Sequence, residues 1–345
     1  MMLRFRAVPA APARGKTLPP SAFRLPPLAA AALDTALACL APVAAAQDYP
    51  VKPIRWIIPY PPGGTSDFLA RLMGQKMTET WKQVVIIDNR SGANGNIGTE
   101  AVARSPGDGY TMLLVATTFA MNPAVYPNLT FDTEKDFAPV SLLLWQPYLL
   151  SVHPTLPVTT VKQFIALAKQ RPGAIDYSSG GVGNATHIAA ERFASMAKIK
   201  LNHVPYRGVG VSIPALLAGE VQMTMASSVV VLPFLKSGKI RVLGATGKRR
   251  VPAMPDVPTV SEAGLPGFEE GNWQMVLVPS KTPRPIINKL NQELVRIVKL
   301  PDMTEHIAKV GADVIADTPD EAAAALRTDM KKYSDIIKAL NIKVE

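Results

Sequence analysis

Short runs of β-branched and aliphatic residues alternate along the chain with longer stretches whose apolar positions recur at helical spacing. That alternation is the pattern of a mainly parallel sheet flanked by helices, an α/β fold. Residues 55–60 read as a first strand. The next segment places Phe68, Leu69, Leu72, Met73 and Met77 on one helical face and starts near Ser66 and Asp67. Strands are predicted over 84–88 and 110–116, separated by the Gly-rich NRSGANGNIG and a short helix. A second series follows, with helices over 161–170, 184–197, 212–218 and 232–236, and strands over 175–178, 201–206, 221–226 and 240–246. The Pro-rich VPAMPDVPTVSEAGLPG then leads to a strand over 273–278 and to helical patterns over 285–298 and 321–340. Two β/α series with a Pro-rich return predict two lobes, the chain crossing near 145–150 and near 268–275. On this reading 47–147 plus 272–345 form a discontinuous first lobe, and 148–271 the second.

Three of the strands end in turns rich in Gly, Ser, Thr or Asn. The first holds Tyr60, Pro61, Gly63, Gly64, Ser66 and Asp67; the middle one holds Thr117 and Asn122. The third holds Ser178, Ser179, Gly181, Gly183, Asn184, Thr186 and His187, and Ser227 follows a fourth strand. A helix N-terminus presents unpaired N–H groups and a partial positive charge, and glycine lets a ligand approach the backbone. Such a turn binds an anion without any cationic side chain. In open α/β sheets ligands sit beyond the carboxyl ends of the strands, where all three turns lie. Residues 60–67 and 178–187 contain no Lys or Arg, so main-chain dipoles, hydroxyls and water would hold the anion. One such turn alone is more often a tight connection than a site. Asp67 could equally cap its helix. His187 could touch a ligand or hydrogen-bond a neighbouring loop, the second being the commoner role. His203, in a strand, reads as core.

Composition changes this picture at one end. Arg4, Arg6, Arg14, Lys16 and Arg24 precede an Ala/Leu-rich run that ends in Ala44-Ala45-Ala46. A basic region, an apolar region and small residues at a cleavage point predict a secretory signal peptide over 1–46 and a periplasmic mature protein. Asp34 interrupts the apolar stretch. The lone cysteine, Cys39, leaves with the signal. The mature chain keeps 32 of the 37 basic and 26 of the 27 acidic residues, a modest positive charge without an aromatic-interleaved basic stripe. Nucleic acid is therefore not an expected partner.

Competing chemistry fails on spacing. Gly92, Gly95 and Gly98 follow a strand, but Asn94 stands where a dinucleotide fingerprint needs its second glycine. Gly244-Ala245-Thr246-Gly247-Lys248 is too short for a phosphate-cradling P-loop. No G-x-S-x-G elbow surrounds a serine, the four histidines lack a nucleophile partner, and no Cys/His cluster has zinc spacing. The reading is a non-enzyme with no catalytic residue, metal or cofactor. Lys248-Arg249-Arg250 reads as a solvated turn.

At these residues the chain resembles the Bug-type (TctC) extracytoplasmic receptors of tripartite tricarboxylate transport systems. The matching pieces are YPPGGTSD (60–67), DNRSGANGNIG (88–98), DGYTMLL (108–114), NPAVY (122–126), YSSGGVGNATH (177–187), HVPYRG (203–208), GKIRVLGATGKRR (238–250) and PDVPTVSEAG (255–264). They run in family order through most of 49–285. The resemblance implies a two-lobed, type II (Venus-flytrap) periplasmic binding protein. Such a receptor closes on a small organic acid and delivers it to integral-membrane permease subunits, here as a monomer. It implies that turns 60–67 and 178–187 face each other across one ligand carboxylate and that Asp67 organises its turn and waters. Thr117 and Asn122 would read the far part of the ligand. Trp273-Gln274-Met275 departs from the family's Trp followed by Gly. Two alternatives remain at this point: a ligand-presenting partner of a signalling receptor, and an enzyme on a related two-lobed fold.

Overall fold

The computed structural model describes residues 49–343 except 236 and 310. The targeting segment expected over 1–46 lies outside the described residues. Among those described, ten strands join in one sheet: β1 (Ile54–Ile58), β2 (Val85–Asn89), β3 (Thr111–Ala116), β4 (Phe137–Val152), β5 (Asp176–Ser179), β6 (Asn202–Pro205), β7 (Met223–Ser227), β8 (Arg241–Ala245), β9 (Gly271–Pro279) and β10 (Asp313–Val314). The order is β2-β1-β3-β9-β4-β7-β5-β6, with β8 and β10 also pairing to β4.

The sheet has two parallel triads joined by antiparallel crossing strands. β1 pairs parallel to β2 and β3, and β5 pairs parallel to β6 and β7. The 16-residue β4 changes partner along its length. Up to Pro147, which faces Gly271, it pairs with β9; from Tyr148, which faces Ser227, it pairs with β7. Register shifts at 139–141 and 142–144 bend it before that point. Almost every residue of β4 is buried, because sheet and helices cover both of its faces.

Helices α1 (Thr65–Trp81), α2 (Asn96–Ala103) and α3 (Thr118–Val125) follow the first three strands. α4 (Val161–Gln170), α5 (Ala185–Ala197), α6 (Val209–Ala218) and α7 (Ser228–Leu235) belong to the second series. α8 (Arg284–Val298), α9 (Pro301–Lys309) and α10 (Pro319–Leu340) close the chain. α10 starts from a capping box in which Thr318 and Glu321 satisfy each other's amides. Its Ala322 and Leu326 pack with Phe119, Phe137 and Trp273, while Tyr333 and Ile337 pack with Tyr148, Phe164 and Ile188. One amphipathic helix thus covers both halves of the sheet.

The elements differ from the sequence expectation in four places. The middle turn is not a turn: residues 118–125 are helical, and Pro123 is accommodated inside the helix. α6 begins at Val209 rather than Ser212, since Gly208 at φ 116° turns the chain straight into it. β4 is an unanticipated strand, and α9 with β10 forms an unanticipated pair of short elements. The basic run at 248–250 is a surface turn, as expected, and each of its side chains pairs with an acid: Glu269, Asp313 and Glu262.

Candidate functional site

The helix α1 starts without a side-chain cap. Its N-cap is Gly64, extended at φ −85°, and the first intrahelical bond runs from Phe68 N to Gly64 O at 3.0 Å. The amides of Thr65, Ser66 and Asp67 therefore leave the helix end without a protein acceptor among the described residues. Gly63 takes φ +82°, the positive value that only glycine adopts cheaply. Its amide donates to Asp67 Oδ2 at 3.1 Å, and Asp67 Oδ1 lies 3.0 Å from Arg71 Nη2. Burial pushes the Asp67 carboxyl up, but the Arg71 guanidinium and the Gly63 amide outweigh it and hold the group below the ordinary carboxylate value. Asp67 thus fixes the turn and stays charged: its Oδ2 accepts from the Gly63 amide, while its Oδ1 is ion-paired with Arg71 but accepts no hydrogen bond.

The helix α6 is the counterpart from the second half. Its N-cap is Gly208, again without a side-chain cap, and the amides of Val209 and Gly210 are open. Both helix ends reach one cavity of ≈ 90 Å³. Around it lie Tyr60, Pro61, Gly64, Ser66 and Asp67 from the first turn, Asn184 and Thr186 from the third, and Ser227. These eight were candidates from sequence. No Lys or Arg lines it among the described residues.

The other eight candidates do not line this cavity. Gly63 holds the first turn from behind. Thr117 is buried and accepts from Trp273 N at 2.9 Å, tying β3 to the crossing strand β9. Asn122 donates to Asn94 O and Asn96 Oδ1, so it braces the Gly-rich loop rather than facing the cavity. Ser178 is buried in β5. Ser179 Oγ lies 2.6 Å from His203 Nε2 and accepts from Gly181 N. Gly181 lines a neighbouring groove that shares Tyr60, Pro61, Asn184 and Gly208 with the cavity. Gly183 donates to His187 Nδ1 at 3.1 Å. His203 stacks on His187 at 4.0 Å between ring centroids and is only half-buried, so it is a scaffold for the turn rather than core.

Sequence reasoning passed over several residues that do line the cavity: Thr65, Thr118, Tyr148, Gly208, Val209, Gly210 and Asn272 among them. Gly208-Val209-Gly210 carried a usable signal, a glycine pair just before a helical pattern. Thr118 is one position from Thr117, and at a strand-to-helix junction one step reverses the direction of the side chain. Tyr148 gave no signal between the Gln146-Pro147 break and Leu149-Leu150.

The halves touch directly across the site. Thr65 Oγ1 lies 3.0 Å from Ser227 Oγ of the other half, while within the first half Gln146 Nε2 donates to Thr65 Oγ1 and Ser66 Oγ donates to Gln274 Oε1 at 2.6 Å. The amide of Ala185 donates to Thr118 Oγ1, and Asn94 Nδ2 donates to Val182 O. Gln274 belongs to the Trp273-Gln274-Met275 stretch, so that departure sits directly behind the α1 end.

Comparison with known proteins places this arrangement. The family model described as "Tripartite tricarboxylate transporter family receptor" matches residues 69–342. Protein BugT of Bordetella pertussis is 31% identical over 320 residues, which is 92% of this chain and 98% of BugT. The R. palustris Rpa4515 structure with adipate superposes with a TM-score of 0.83 at 32% identity, covering 86% of this chain and all of that one. MatC from Rhodopseudomonas palustris with bound malate gives 0.79 at 29% identity, covering 84% and 100%.

Proposed function

The chain belongs to the tripartite tricarboxylate transporter family of receptors, and from that premise we propose how its site works. The protein is a two-lobed, carboxylate-binding solute receptor of the periplasmic type. In our reading residues 47–147 plus 272–345 form one lobe and 148–271 the other. The change of β4 partner between Pro147 and Tyr148 supports that division. The two lobes close on a small organic acid in the periplasm, after removal of a leader near Ala46. The loaded monomer then delivers the acid to integral-membrane permease subunits.

One observation carries the binding chemistry: two uncapped helix N-termini, α1 and α6, one from each half, meet at a cavity without cationic side chains. An anion there receives main-chain hydrogen bonds and two favourable dipole ends. A carboxylate that touches both ends holds the lobes together, which couples binding to closure. Adipate and malate in the two related structures are small acids of this kind.

The test is a matched acid and amide pair in a calorimeter. Each helix end contributes roughly 0.3–1 kcal/mol when exposed and up to about 2 kcal/mol when partly buried. Two ends with charge-assisted hydrogen bonds give the acid an advantage of about tenfold or more. Equal affinities for acid and amide would refute the main-chain anion site.

A further inference from the structure

The Gly-rich loop that follows β2 carries a feature that the cavity does not use. Four residues in a row take positive φ: Gly92 at 138°, Ala93 at 46°, Asn94 at 53° and Gly95 at 93°. Glycine adopts such values cheaply, asparagine tolerates them, and alanine is strained by them. Strained backbone of this kind persists where surrounding contacts impose it, and it clusters at functional segments. Asn94 is also the residue that stands where a dinucleotide loop would have its second glycine.

The conformation aims one side chain at the other half of the molecule. Asn94 Nδ2 donates to Val182 O at 2.6 Å and to the Tyr126 hydroxyl at 3.0 Å. A carbonyl only accepts, so the amide nitrogen is the atom that faces Val182. The loop is held from behind, where Asn122 Nδ2 donates to Asn94 O at 3.2 Å and to Asn96 Oδ1 at 2.6 Å. The approach is close, since a Cβ on Gly181 would lie 3.4 Å from Asn94 Oδ1. Asn94 belongs to the first lobe of our reading and Val182 to the second. The bonds from Thr65 to Ser227 and from Ala185 to Thr118 also join the halves, but all four of those residues line the cavity. Asn94 and Val182 do not; they line the groove of ≈ 550 Å³ beside it.

We propose that Asn94 is a latch for the closed receptor, tying the lobes together at the mouth of the cleft without touching the ligand. The bond forms only where the loop and the third turn meet, so it favours closed over open whatever acid is bound. Such a contact raises the affinity for every ligand that requires closure by the same factor, and it sets no preference among them. Release needs reopening, so the effect falls on the off-rate rather than the on-rate. Asn94 is thus a positioning residue that acts through the arrangement of the lobes. This inference rests on the reading of two lobes that close on an acid.

The experiment is stopped-flow binding of succinate, malate and adipate to wild type, Asn94→Gly and Asn94→Asp. Glycine takes φ 53° readily and keeps the carbonyl that Asn122 holds, so Asn94→Gly removes the donor and leaves the loop in place. It should release every acid that wild type binds about three- to tenfold faster, with on-rates within about twofold, as expected for one hydrogen bond made on closure. The relative affinities of the acids and the acid-over-amide preference should not change. Asn94→Asp puts an acceptor against Val182 O and should raise the off-rate at least as much. Its added charge acts on the on-rate, which is why the off-rate is the readout. Either variant releasing ligand at the wild-type rate overturns the latch. So does a change in the rank of the acids, since the side chain would then be reading the ligand. A wild type that binds none of the acids, or binds acid and amide alike, refutes the carboxylate reading itself. An intact acid preference with unchanged off-rates refutes the latch alone.

Discussion

The turns at 60–67 and 178–187 look alike in sequence: both are rich in glycine and hydroxyl residues, and both connect a strand to a helix. Their amides go to different places. At the first turn the α1 end has no side-chain cap, and three amides are left facing the cavity. At the third, Asn184 Oδ1 takes Thr186 N, Thr118 Oγ1 takes Ala185 N, Ser179 Oγ takes Gly181 N, Thr186 Oγ1 takes Gly180 N and His187 Nδ1 takes Gly183 N. The third turn spends these donors on its own side chains and on Thr118 of the other half. The open terminus in that half of the molecule is α6, behind Gly208. A Gly-rich turn thus signals a backbone that must bend. Whether the bend leaves donors free depends on the side chains nearby, and a capped terminus offers fewer open amides than an uncapped one.

The largest expected effect comes from closing the open turn. Gly64 has φ −85°, which valine also adopts, and a Cβ there meets nothing nearer than Pro61 O at 3.9 Å. Gly64→Val should therefore fold, at a cost of about 1 kcal/mol for a poorer N-cap. Its side chain would fill the space in front of the Thr65 and Ser66 amides. The expected loss of affinity is at least about a hundredfold, and scattering should show no lobe closure on adding ligand. A variant that binds and closes like wild type would make the first turn a mere connection.

The capped turn should respond the other way round. Gly183 has φ +73°, and a Cβ there would lie 2.4 Å from Val125 Cγ1. Gly183→Ala combines a left-handed penalty with overpacking, a loss of about 2–4 kcal/mol in stability. The α1 and α6 amides proposed to hold the ligand are untouched, so acid-over-amide preference should survive in the folded fraction. Chemical denaturation and calorimetry on the same sample measure the two effects separately. A variant with normal stability and no acid preference would reverse the comparison between the turns.

The strand-and-helix alternation was legible because exposed helices such as α4 and α8 carry a clean apolar face, and β1 and β2 of the first triad carry short β-branched runs. β4 was not legible. It is buried on both faces, so it lacks the period of two, and Pro139 and Pro147 read as breaks. Most of the first turn's residues at the cavity were legible, Thr65 excepted, since glycine placement and the lack of cations pointed to the uncapped helix end that the structure has. The α6 end was hidden by a helix start placed three residues late. Tyr148 was hidden because only the pairing of β4 with β7 brings it beside Ser227. Such partners are set by tertiary contacts, which no local pattern encodes.

A further expected effect is a pH dependence of stability that arises at the capped turn. His187 is buried, and burial, then the neighbouring His203, lower it from the ordinary 6.5 to about 3; burial lowers His203 to about 4. Tyr177 stacks on His203 at 4.8 Å and donates to Glu191, so the stack as a whole holds uncharged rings. Below pH 6.5 the unfolded chain takes up protons at both histidines while the folded chain does not. Stability is therefore complete above about pH 6.5 and declines as pH falls towards about 4, where His203 also charges in the folded state. The slope is at most about 1.4 kcal/mol per pH unit for each ring, and less for the half-buried His203. Asp67 stays ionised through this window because Arg71 and the Gly63 amide overcome the effect of burial. Denaturant titrations at pH 7.0, 6.0 and 5.0 should thus show a falling midpoint, while acid-over-amide preference, measured on folded protein at the same pH values, stays level. A flat midpoint would mean that the two rings do not hold the third turn. A preference that decays in parallel would mean that the third turn, not the first, supplies the donors to the anion.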